Sequence, residues 1–172
     1  MLSSAYEMKK ISEVDLKIIC EYMTYNKDSG FLVWKKSLGR KIKPGNVVGS
    51  LNYKGYIEFD IFGKRYRAHR VIWAMQTGSD TDLQIDHING VKSDNRIENL
   101  RAVTCSVNMQ NQRNAKKTSK TGILGASPRG SKFVAQIKAQ GAKKYIGMFH
   151  SAEEAGQAYL LAKRRLHEGC TL

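Results

Sequence analysis

The sequence predicts an α+β protein in two parts, a mixed N-terminal and central domain followed by a small three-stranded antiparallel sheet with one packed helix. Three observations predict it. Helical and strand-like apolar patterns interleave up to about residue 108. The stretch 109–121, MQNQRNAKKTSKT, then has Met109 as its only large apolar side chain. Beyond it lie three short strand-like runs and a helix-starting signal. A chain of 172 residues can bury one ordinary core or two small ones, and 41% hydrophobic residues suits a folded chain. The expected division is 1–108, a linker at 109–121, and 122–172.

The elements follow in order. Ser12-Glu13-Val14-Asp15 resembles a capping box, and Leu16, Ile18, Ile19, Tyr22 and Met23 recur at helical spacing, so a helix is expected over 12–25. Asn26 to Gly30 is dense in turn formers. Strands are expected at 31–34, 47–51, 56–61 and 65–69, with Phe62-Gly63-Lys64 turning between the last two. A short helix from Arg70 to Gln76 should stop near Gly78. In the last part, strands are expected at 122–127, 132–138 and 143–149. A capping box at Ser151-Ala152-Glu153-Glu154 then opens a helix running to about Glu168.

Charge narrows the partner. The formal net charge is +14, and residues 109–172 alone carry 12 basic and 3 acidic groups. Such an excess points to a polyanion, through attraction to phosphates and release of their counterions. No window approaches the roughly 18 apolar residues of a membrane span. MLSSAYEMKK has no apolar run behind its basic residues, so no secretory signal is read and a cytoplasmic location is expected. Cys20, Cys105 and Cys170 are odd in number and widely spaced, which argues against a disulfide framework and a structural zinc site.

The chemistry concentrates in Asp86-His87-Ile88-Asn89-Gly90, with Asn99 and Asn108 further on. Hydrolysing a phosphodiester needs an activated water and an electrophile to stabilise charge on the phosphate and the leaving oxygen. A neutral histidine can take the water's proton near physiological pH. A hard divalent cation takes oxygen ligands, which Asp and Asn supply. On an extended strand Asp86 and His87 point to opposite faces, so sharing one site demands a sharp turn just there, where Asn89-Gly90 supplies a turn signal.

DHINGVKSDNRIENLRAVTCSVN, with His87, eleven residues, Asn99, eight residues and Asn108, resembles the HNH endonuclease family in the form found in phage and intron-encoded homing endonucleases. AHRVIWAMQTG upstream resembles the helical lead-in of those enzymes. The resemblance implies a ββα-metal fold. It makes His87 the general base and Asn99 a residue that holds the loop and the histidine by hydrogen bonds. Asp86 and Asn108 become ligands to a divalent metal, Mg²⁺ first and Mn²⁺ as the alternative. His69 and Arg70, which precede the motif, are the candidates there for contact with DNA phosphate.

In the last part, Arg129, Lys132, Gln136, Lys138, Lys143 and Tyr145 are expected on the sheet face away from the helix. A ribbon carrying such side chains fits the DNA major groove. KFVAQIKAQGAKKYIGMFHSAEEAGQAY is similar to the AP2 DNA-binding domain, with Ser127 where plant members usually carry an arginine. The two resemblances together imply site-specific cleavage of double-stranded DNA by a homing endonuclease of phage or bacterial origin. One active site cuts one strand, so a double-strand break needs a dimer or two successive nicks, and the sequence leaves both open. A non-cleaving DNA-binding regulator and an RNA-binding protein are the rivals from other classes.

Overall fold

A computed structural model describes residues 10–172. The N-terminal stretch read for a secretory signal therefore lies almost wholly outside the described residues. The chain divides into two compact units, one ending at Val103 and the other spanning Thr104–Leu172.

The first unit opens with α1, Glu13–Tyr22, whose N-cap Ser12 accepts a hydrogen bond from the Asp15 amide. The helix stops short of the expected residue 25, because Met23–Asn26 forms β1 and pairs antiparallel with β2, Phe31–Trp34, from Met23↔Trp34 to Asn26↔Phe31. Thr24 and Tyr25 suit a pleated strand, and the pairing overrides the helical periodicity. β3, Ser50–Leu51, is much shorter than the expected 47–51. Gly49 takes φ +88°, and a Cβ there would meet the Glu58 carbonyl oxygen at 2.7 Å. The strand therefore bends at Gly49 as it comes against β4.

β4, Ile57–Ile61, and β5, Lys64–Arg67, form a hairpin whose two loop residues, Phe62 and Gly63, both have positive φ, as the right-handed strand twist prefers. Ala68 and His69 were expected at the end of that strand. They instead begin α2, Ala68–Thr77, because Ala68, Val71, Ile72 and Ala74 form a fully buried helical stripe. α2 ends at Gly78 in the left-handed conformation. The core joins this stripe to Ile19, Met23, Leu32, Trp34, Val48, Phe59, Ile85 and Leu100. β6, Gln84–His87, and β7, Leu100–Val103, close the unit as an antiparallel pair.

The second unit begins with α3, Cys105–Gln110, capped by Thr104. β8, Ala126–Arg129, β9, Lys132–Ala139, and β10, Ala142–Phe149, form one antiparallel sheet in the order β10-β9-β8. α4, Ala152–Leu166, packs on it, and its Ser151–Glu154 capping box is complete in both directions. The first strand lies later than the expected 122–127. Gly125 takes φ +81° and sits directly on the Tyr159 ring, so the GILG run is a turn pressed onto α4 rather than a strand. Ala126, Ala135, Ala152 and Ala155 form the close-packed centre, with Ile123, Phe133, Ile146, Phe149 and Tyr159 around them. Residues 109–121 contain no regular element beyond the end of α3. They are nevertheless tied down within this unit. Lys163, 1% exposed, donates to the Gln112 carbonyl, and Arg113 donates to the Thr171 carbonyl and hydroxyl at 3.0 and 2.7 Å.

Candidate active site and nucleic-acid face

β6 delivers Asp86 and His87, both buried, onto the hairpin with β7. The chain then turns through Gly90 at φ +74° and returns by a 3₁₀ turn at Ile97–Asn99. This 88–99 loop is closed by asparagine side chains. Asn99 Oδ1 accepts from the Asn89 amide at 2.9 Å, its Nδ2 donates to the Asp94 carbonyl at 2.8 Å, and its backbone carbonyl accepts from Ile88 at 2.8 Å. Asn89 Nδ2 donates to Asp94, whose carboxylate also takes Arg96 Nε and Nη2 at 2.8 and 2.7 Å. That arginine holds the Asp94 carboxyl well down, at a pKa of about 2. From β1, the Tyr25 hydroxyl accepts from the Ile97 amide and donates to the Asn95 carbonyl.

His87 Nε2 lies 3.0 Å from Asn95 Oδ1, and Asn95 is 1% exposed. An amide oxygen accepts only, so Nε2 carries the proton and the ring's lone pair belongs to Nδ1. Burial pushes the His87 pKa below its ordinary value, with the Asn95 bond pulling the other way. The ring is therefore neutral near physiological pH, as a proton acceptor must be. His69 packs edge-on against it with centroids 5.1 Å apart, and Tyr56 lies 5.2 Å from His69 and 6.0 Å from His87. Arg67 and Lys92 sit over the Tyr56 ring at 4.8 and 4.9 Å. His69 is 3% exposed, its Nδ1 has no hydrogen-bond partner among the described residues, and burial with the nearby positive charges drives its pKa well down.

Arg70 is turned to the 80–83 segment. It donates to the Asp80 carboxylate at 2.6 and 3.3 Å and to the Thr81 and Leu83 carbonyls, while Asp80 also accepts from the Ile11 amide. Asp86 faces Arg101 across the hairpin, and Arg101 Nε and Nη2 donate to Asp86 Oδ2 at 3.0 and 2.8 Å. Asn108 lies on α3 in the second unit, whereas Asp86, His87 and Asn99 lie in the first.

Sequence reasoning missed Asn95, Arg101 and Tyr56. Asn95, beside Asp94, reads as a turn former. Arg101 emerges only from the β6–β7 register.

In the second unit the register places Ser127, Arg129, Lys132, Gln136, Lys138, Lys143 and Tyr145 on one face of the sheet, all exposed. Gln136 stands opposite Tyr145, and Lys138 opposite Lys143. A bulge between Tyr145 and Gly147 lets Tyr145 point outward while Phe149, opposite Phe133, points to the core. A cleft of about 560 Å³ in this unit is lined by Gln112, Lys116, Thr118 and Ser119 together with Arg129 and Gln136 of the sheet.

A strand pair bearing a buried Asp-His, followed in sequence by a short helix, is the order of elements in ββα-metal nucleases. Residues 66–110 match the family model for HNH endonuclease, so the chain carries an HNH endonuclease domain and its chemistry is phosphodiester hydrolysis. No curated protein and no solved structure matches the chain. No helix among the described residues is long and apolar enough to cross a membrane.

Proposed function

We propose that the protein is a metal-dependent, site-specific DNA endonuclease of the homing type, with His87 as general base. The neutral, buried His87, its Nε2 proton committed to Asn95, is the observation that carries this reading. Nδ1 would take the proton of the attacking water, and Asn99 would keep the 88–99 loop closed so that the ring stays put.

The donor chemistry suits a hard cation. Asp86 offers a carboxylate oxygen and Asn108 an amide oxygen, the donor types that the motif supplies. No group of three His, Cys, Asp or Glu among the described residues could hold a metal, as a zinc cage would require. Mg²⁺ keeps several waters and typically binds one or two protein oxygens plus substrate phosphate, so a sparse oxygen set fits it, and Mn²⁺ would substitute. Such an ion, when bound, stabilises charge on the scissile phosphate and the leaving oxygen.

The AP2-like face of the second unit would supply most of the grip on double-stranded DNA. Four basic side chains there, Arg129, Lys132, Lys138 and Lys143, surround Gln136 and Tyr145, a mixture suited to phosphates and base edges. Incubation of supercoiled plasmid with the wild type and His87→Ala, in Mg²⁺ and in EDTA, tests the proposal. Cleavage by the wild type in Mg²⁺ but not in EDTA supports it, with His87→Ala slower by ~10²–10⁴. Equal cleavage by both proteins, or cleavage in EDTA, would overturn it.

A further inference from the structure

We propose that Arg101 is a counter-ion guarding Asp86, released when DNA arrives, so that the divalent cation and the DNA phosphate load onto this site together. The inference rests on Asp86 being a metal ligand, as proposed above. Asp86 and Arg101 are direct partners across β6 and β7, and two guanidinium nitrogens converge on the same carboxylate oxygen at 3.0 and 2.8 Å. The Asp86 side chain is only 9% exposed, so the pair is shielded from salt, whereas Arg101 at 24% keeps a face toward solvent. A buried carboxylate requires a compensating cation, and Arg101 provides one in the protein by itself.

That arrangement has a consequence for metal loading. A divalent ion approaching Asp86 meets a carboxylate already neutralised and a fixed positive charge beside it, so its affinity for the protein alone is depressed. A DNA phosphate reverses the balance. It supplies negative charge to the site, and guanidinium pairs as readily with phosphate as with carboxylate. Once Arg101 turns to phosphate, Asp86 regains its full charge for the cation. Binding of metal and DNA must then be mutually favourable, each raising the affinity of the other by the same factor. The usual role of a neighbour that only orients a metal ligand predicts the reverse, since removing such a neighbour weakens metal binding by ~10–100-fold.

The test measures Mn²⁺ binding by electron paramagnetic resonance of the free ion, using full-length protein with and without a phosphorothioate-blocked DNA duplex. Wild-type protein should bind Mn²⁺ about tenfold more tightly when the duplex is present. Arg101→Gln should bind Mn²⁺ about tenfold more tightly than wild type without DNA, and lose most of the gain from adding it. Unchanged or weaker Mn²⁺ binding by Arg101→Gln overturns the proposal. If that variant does not fold, the wild-type comparison decides, and no effect of the duplex on Mn²⁺ affinity overturns it. Asp86→Asn separates the two levels. Loss of Mn²⁺ binding in Asp86→Asn with no gain in Arg101→Gln sinks the guarding role alone. Undiminished binding by Asp86→Asn sinks the metal assignment and the guarding role with it.

Discussion

The Nε2 atom of His87 lies 3.0 Å from the Oδ1 atom of Asn95, eight residues further along the chain, and both side chains are buried. The bond selects one tautomer of the imidazole. Asn95→Ala removes that selection while leaving the proposed metal ligands, Asp86 and Asn108, and the basic face in place. Single-turnover cleavage should fall by roughly 10–100-fold with DNA affinity unchanged, in a protein whose melting is checked in parallel. A wild-type rate in the variant would show that Asn95 does not set the working form of His87.

The pH dependence of cleavage should carry the mark of burial. The folded-state pKa of His87 lies below the ordinary value of about 6.5, so the proton-accepting form persists as pH falls through that value. The acidic limb of the single-turnover rate, measured in saturating Mg²⁺, should therefore be centred below about 6.5. A limb centred above it would mean that another group titrates.

Asp94 offers a stability counterpart. Its carboxyl is depressed to about 2, first by its hydrogen bonds to Arg96. A carboxylate depressed in the folded state stabilises fully above its unfolded pKa, near 3.9, and that contribution fades as pH drops toward the folded value. Asp94→Asn should lower the melting temperature at pH 7, and the gap to wild type should narrow between about pH 4 and 2. A gap constant with pH would remove the ion pair as its cause.

Two glycines separate backbone strain from crowding. Gly122 has φ +67° with open space where a Cβ would sit, so Gly122→Ala should cost about 1 kcal/mol. Gly125 has φ +81° and lies against the Tyr159 ring, so Gly125→Ala should cost roughly 2–4 kcal/mol in denaturant unfolding. Equal costs would show that Tyr159 moves aside freely.

The salt dependence of DNA binding tests the sheet face. Lys138 and Lys143 stand opposite one another and are exposed, a like-charge pairing that a phosphate between them would relieve. Replacing both by Gln should flatten the slope of log K against log salt by up to about 2, at ~0.9 per lost phosphate contact. An unchanged slope would place the DNA elsewhere.

How much was legible in the sequence follows from the range of each signal. The Asp86–Asn108 pattern was readable because residue type and spacing are local properties. The basic face was readable because strand residues alternate. Tyr145 outward and Phe149 inward, four residues apart, cannot both hold on a regular strand, and only the bulge at Ile146 reconciles them. Arg101 was not readable, because its partnership with Asp86 depends on the register across the 88–99 loop. The end of α1 and the start of β8 were misplaced for a related reason. Met23 is claimed by Trp34 and Gly125 by Tyr159, partners distant in sequence.

Among the described residues, β10 has a neighbour on one side only, β9. Such a rim, with a row of amides and carbonyls facing outward, invites a second molecule to add a strand, and many proteins aggregate by that route. Here the rim carries Lys143 and Lys144 in succession and is bent by the bulge at Ile146. Two charges and an irregular backbone make a poor template for another strand. Lys143, considered above for its attraction to nucleic acid, would thus also help keep crowded copies of the chain apart, and its replacement should be watched for lowered solubility at high protein concentration as well as for weaker binding.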